Sequence, residues 1–183
     1  PPDLLPVPVI KIAEINLGLK PIPIRGLLDS EGLDGFLTRD LKNICIDWEI
    51  YTDERQENRL RFTFAHELGH LVLHKEQIQQ CDFRTLEDWV YFRQDFTKYD
   101  LTWFEQHAYE FAGRLLVPKH ALETRISTLS AEIEKYRKMG GSEEERLIDA
   151  IARIICADFR VSADCIAKRI RIEKLQGHFH KRN

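Results

Sequence analysis

The stretch that most constrains this chain is Arg61-Phe-Thr-Phe-Ala-His-Glu-Leu-Gly-His-Leu-Val-Leu-His74. Within it, His66, Glu67 and His70 make an H-E-x-x-H spacing. On an α-helix, residues four apart lie one above the other on a single face, about 6 Å apart along the axis. Two imidazoles so placed can take two corners of a zinc tetrahedron. The glutamate beside the first histidine then reaches water on the same metal as a general base. An ordinary amphipathic helix with surface histidines is the plainer reading. Leu68, Leu71, Val72 and Leu73 weigh against it, because they make the helix apolar nearly all round and therefore buried. Buried histidines and a buried glutamate need partners, and one metal ion satisfies all three. Thr63 is the expected N-cap, which sets Glu67 near the positive end of the helix dipole.

A second helix is predicted from about Thr102 to Leu116, ending before Pro118. Ala108, Phe111, Ala112, Leu115 and Leu116 mark its buried face, and Glu105 falls on that face one turn before Ala108. A carboxylate on an apolar stripe demands a partner. Two histidines and a glutamate, with water in the fourth position, form a catalytic zinc set, so Glu105 is the expected third ligand. Glu110 is the weaker candidate, since it lies about 140° round the helix from Glu105 and is spaced to pair with Arg114. His107 also faces away, as a surface or supporting residue. A straight helix carries His74 about 6 Å past His70, too far to share an ion, so it is read as a helix-end or supporting residue.

The rest of the chain frames these two helices. An extended proline-rich leader, Pro1 to Pro8, precedes a short helix through Ile10, Ala13 and Leu17 that closes near Gly18. A strand is expected around Ile22 and Ile24, and Gly35–Asp40 with Asn43–Trp48 reads as a hairpin. Alternation at Leu60 and Phe62 predicts a strand or extended segment leading into the zinc helix. The stretch Lys75 to Trp103 carries seven aromatic residues, among them Trp89 and Tyr99. It is read as a hairpin or short helices over the core, with a wall over the metal cleft as the functional alternative. Beyond Lys119, Leu122 to Tyr136 recur at helical spacing up to Gly140-Gly141, and Ser142 with Glu145 makes a capping box for the next helix. Ser162 then caps a helix through Ile166 and Ile170, a helix-turn-helix cadence.

Composition narrows the function classes. Hydrophobic content of 43% with charged content of 31% fits a soluble globular protein. The net charge of −3 excludes a general polyanion binder, so any nucleic-acid face must be local. Basic residues do gather after Ile151, yet a solvated packing helix looks the same, and direct DNA contact is the less favoured reading. No apolar run is long enough to span a bilayer, and no signal pattern opens the chain, so a cytoplasmic location and no membrane partner are expected. Cys45, Cys81, Cys156 and Cys165 are scattered and read as free thiols. The expected fold is α+β: a small antiparallel sheet on a zincin-type helix pair, then a helical C-terminal part. The expected division is a core over 1–118 and a helix-turn-helix-like region over 119–183.

Phe62-Thr-Phe-Ala-His-Glu-Leu-Gly-His-Leu-Val-Leu-His74 and Glu105-Gln-His-Ala-Tyr-Glu-Phe-Ala-Gly-Arg-Leu-Leu-Val-Pro118 closely resemble the ImmA/IrrE family of zinc metallopeptidases. Pro6-Val-Pro-Val-Ile-Lys-Ile-Ala13 and the segment from Phe159 to Arg169 also look like that family. The resemblance implies one Zn2+ per chain, held by His66, His70 and Glu105, with Glu67 as catalytic base. It further implies a protein substrate, typically a phage-repressor-like helix-turn-helix repressor. The rival readings are a DNA- or repressor-binding regulator that keeps zinc without proteolysis, and a purely structural interaction partner.

Overall fold

In the computed structural model, residues 5–80, 98–138 and 143–176 are described, with side chains from residue 102 onward in the second stretch. Two compact units are present, one spanning Pro8–Ala112 and the other built on the chain from Gly113. The fold is α+β, mostly helical with one three-stranded sheet.

In the first unit, helix α1 (Val9–Lys11) runs on into a π-turn over Ile12–Asn16 and stops at Gly18, whose φ of 70° is open to glycine. Strands β1 (Lys20–Ile24), β2 (Gly35–Leu37) and β3 (Asn43–Asp47) follow, with the short helix α2 (Leu27–Glu31) between the first two. The strand order is β1-β3-β2. The expected hairpin is present, with β2 antiparallel to β3 and Phe36 opposite Cys45. The expected all-antiparallel sheet is not: β1 runs parallel to β3, from Lys20 opposite Asn43 to Ile24 opposite Asp47. Parallel pairing needs a long crossover, and α2 with β2 supplies it. Central β3 is buried through Ile44, Cys45 and Ile46, the continuous apolar run of a strand covered on both faces. Pro21 and Pro23, which cannot donate to a ladder, sit on outer strand β1.

Asp47 ends β3 and ties two helices to it. One carboxylate oxygen accepts from the Glu49 and Ile50 amides at the start of α3 (Trp48–Thr52), and the other from the Leu28 amide in α2. A 3-10 turn over Glu54–Gln56, with Asp53 accepting the Arg55 amide, leads into α4 (Glu57–Leu73). Leu60 and Phe62 are therefore helical, not a strand, and Thr63 does not cap. Asp53 opens the 3-10 turn and α4 begins at Glu57, six residues before Thr63, so the Thr63 hydroxyl lies inside the helix and donates to the Arg59 carbonyl.

Helix α5 (Lys75–Gln80) follows, and α6 (Lys98–Leu116) begins four residues before the predicted Thr102. Cys81, Trp89 and most of the aromatic connector lie outside the described residues, as does the Tyr99 side chain. Helices α4 and α6 cross at Gly69, where a Cβ would stand 2.9 Å from the Ala108 Cα and 3.1 Å from its carbonyl oxygen.

The second unit holds α7 (Lys119–Thr128), α8 (Ser130–Lys138), α9 (Glu144–Phe159) and α10 (Ala163–Ile172). The single helix expected across Leu122 to Tyr136 is broken at Leu129. The hydroxyls of Thr124, Ser127 and Thr128 all donate back to helix carbonyls, a pattern that loosens a helix end. Gly140, Gly141 and the Ser142 cap lie outside the described residues. Helices α9 and α10 form the expected helix pair, and Ser162 accepts the Cys165 amide as its N-cap. Among the described residues, no helix is long and apolar enough to cross a membrane.

Candidate metal centre

The middle of α4 is buried through Phe64, Ala65 and Leu68, while α6 meets it at Gly69 and at the rings of His66 and His70. That burial fixes the roll of the helix and turns His66, Glu67 and His70 to one place. The two Nε2 atoms of His66 and His70 stand 3.0 Å apart. Two imidazole nitrogens so close require either a shared proton or a cation between them. His66, Glu67 and His70 each bring a donor atom within 4.8 Å of the other two, a group that fits a metal ion.

Glu105, from the facing turn of α6, joins them. Its carboxylate oxygen is 3.2 Å from His66 Nε2 and 3.9 Å from His70 Nε2. The sequence-predicted quartet is thus gathered in one place. Glu110, the weaker candidate, is not among the residues lining the cleft. His107 is exposed and does not line the cleft, its ring lying 5.8 Å from that of His74.

The local field favours positive charge. Burial works against a proton on His66, but the hydrogen bond with Glu105 and the charges of Glu67, Glu105 and Asp34 outweigh it and raise its pKa. Behind the site, burial and the nearby Glu67 charge push the Cys45 thiol up to about 11, so it stays protonated and apolar in behaviour. Burial, and next the neighbouring His107, push His74 down to about 4.

The cluster opens onto a cleft of about 300 Å³. Outer strand β2 supplies Gly35 to one wall, and α4 and α6 supply Phe62 and Tyr109. At the lip, Arg59 donates two hydrogen bonds to the Asp34 carboxylate, at 2.7 and 2.8 Å. That guanidinium, one of the arginines near the motif, is thereby committed to a partner.

Two residues of this site carried no sequence signal that singled them out. Tyr109 is half-exposed in the cleft with its ring 4.5 Å from His66. Its position four residues after Glu105, on the same helical face, is the clue that was there. Phe104 stacks on both His70 and His74, at 4.5 and 4.1 Å, and reads from sequence as one more core aromatic.

No curated protein and no solved structure matches the chain significantly. Residues 28–171, which contain every residue lining the cleft, match the family model of the IrrE N-terminal-like domain, Peptidase_M78. A metallopeptidase-type function and a protein substrate follow from that match, and the chain belongs to the IrrE N-terminal-like family.

Proposed function

We propose that the protein is a zinc-dependent endopeptidase that cleaves a helix-turn-helix transcriptional repressor. The observation that carries this reading is the convergence of the Glu105 carboxylate on the paired Nε2 atoms of His66 and His70. Their separations of 3.0, 3.2 and 3.9 Å bracket the edge of about 3.3 Å expected between ligands of tetrahedral zinc. With three ligands from the chain, one position stays open for chemistry, whereas a structural zinc fills all four with protein.

When bound, zinc supplies a Lewis acid that acidifies water and polarises a peptide carbonyl. Glu67, buried next to the pair, takes the proton from the attacking water and returns it to the departing amine. Strand β2 beside the cleft holds an extended substrate by main-chain hydrogen bonds, as an added strand. In this reading residues 1–118 act as the peptidase core and 119–183 as an appended helical region. The repressor as substrate rests on the family resemblance of the two helical motifs.

The test is cleavage of candidate repressors by metal-clean, zinc-reloaded protein. Wild type is expected to cut one of them. Glu67→Gln should keep its zinc and lose turnover by roughly 10²–10⁴-fold. Undiminished turnover in that variant would remove Glu67 from its role.

A further inference from the structure

A zinc ligand histidine that binds through one ring nitrogen must place the proton of the other, and an acceptor there sets both its tautomer and its tilt. His70 has such a neighbour. His74 follows the last residue of α4, where the chain leaves helical geometry at φ −127° and ψ 19°. Its side chain turns back toward His70 so that the two Nδ1 atoms stand 3.0 Å apart, both residues buried. At that distance one nitrogen carries the proton and the other a lone pair.

The His74 ring is held flat. Phe104 stacks on it at 4.1 Å and 22°, and the same phenyl stacks on His70 at 4.5 Å and 29°. The His107 ring lies nearly parallel at 5.8 Å. His66 differs from His70, because its buried Nδ1 has no hydrogen-bond partner among the described residues. The two histidines of the motif are therefore unequally anchored at Nδ1, where His70 meets His74 and His66 meets no described residue.

We propose that His74 is a positioning residue whose Nδ1 accepts the Nδ1–H of His70 and thereby aims His70 Nε2 at the metal. This rests on the zinc reading above. It requires His74 to be neutral with its own proton on Nε2, the only arrangement that leaves a lone pair facing His70.

The test measures zinc affinity by competition with a chromophoric chelator, together with the visible spectrum of the cobalt(II)-loaded protein. His74→Phe keeps a ring against Phe104 but removes the acceptor. It is expected to weaken zinc about 10–100-fold and to alter the cobalt spectrum. His74→Asn, which offers an amide oxygen near the place of Nδ1, should recover most of both. Wild-type affinity in His74→Phe, or equal losses in the two variants, would overturn the proposal. Should His74→Phe fail to fold, imidazole ¹⁵N NMR of zinc-loaded wild type decides. His74 protonated on Nε2 and bare on Nδ1 is expected, and the opposite tautomer would overturn it. If wild type itself binds no zinc, the peptidase reading falls first and His74 loses its role with it.

Discussion

Gly69 shows how one missing side chain shapes the metal centre. Glycine inside a helix costs about 1 kcal/mol relative to alanine, so propensity alone argues against it there. The α4–α6 crossing explains its place, since a methyl would meet the Ala108 backbone at 2.9 Å and the Phe111 Cβ at 3.2 Å. Backbone cannot swing aside as a long side chain can, so α6 must move, and Glu105 rides on α6 one turn before Ala108. Gly69→Ala is therefore predicted to lower stability by about 1–3 kcal/mol despite its better helix propensity, as overpacking does. Metal affinity should fall along with it. Thermal melts and chelator competition check this, and a more stable variant with unchanged affinity would refute the crossing argument. At this scale the site was largely legible. His66, Glu67 and His70 announce themselves because their chemistry fixes a local helical spacing. Glu105 does so because a carboxylate on an apolar stripe needs a reason. Gly69 and Phe104 were not legible, since their roles depend on how close two helices come, which no local pattern encodes.

Among the elements, Asp47 joins strand to helices. Its carboxylate is buried and accepts three backbone amides, from Leu28, Glu49 and Ile50, so one side chain caps both α2 and α3. Caps are worth about 1 kcal/mol each, and amides stranded in a buried setting add to the loss. Asp47→Ala is expected to cost about 2–3 kcal/mol, read as a lowered urea midpoint, with Asp47→Asn recovering part of it. A loss under about 0.5 kcal/mol would mean the two helices hold without the cap. The β2–β3 hairpin was readable because its pairing is local and its turn polar. The parallel seating of β1 was not, because partner and direction are set by contacts across twenty or more residues of intervening chain. The start of α4 was misread for a different reason. Leu60 and Phe62 alternate as a strand would, while the stronger signal was the Asp53 cap upstream, whose turn commits the following residues to helix.

For the molecule as a whole, the choice lies between a peptidase and a regulator that reads DNA. The basic residues near the C-terminus gave the second reading its weight. In the structure, Arg169 is buried, pairs with Glu173 at 2.9 Å and donates to the Val117 carbonyl. Arg171 donates to Glu145 and Asp149. Two cations of the presumed reading helix are thus spent inside the second unit, holding α10 to the helices around it. With a net charge of −3, the chain as a whole is not a polyanion binder. The central claim is instead a three-ligand metal centre, and its most direct test is metal content. Wild type and Glu105→Ala, purified without added metal, are compared by elemental mass spectrometry. The account predicts about one zinc per wild-type chain and marked loss from the variant. Zinc retained equally by both would move the third ligand away from Glu105. A folded wild type that holds no zinc and takes up none on addition would contradict the account outright.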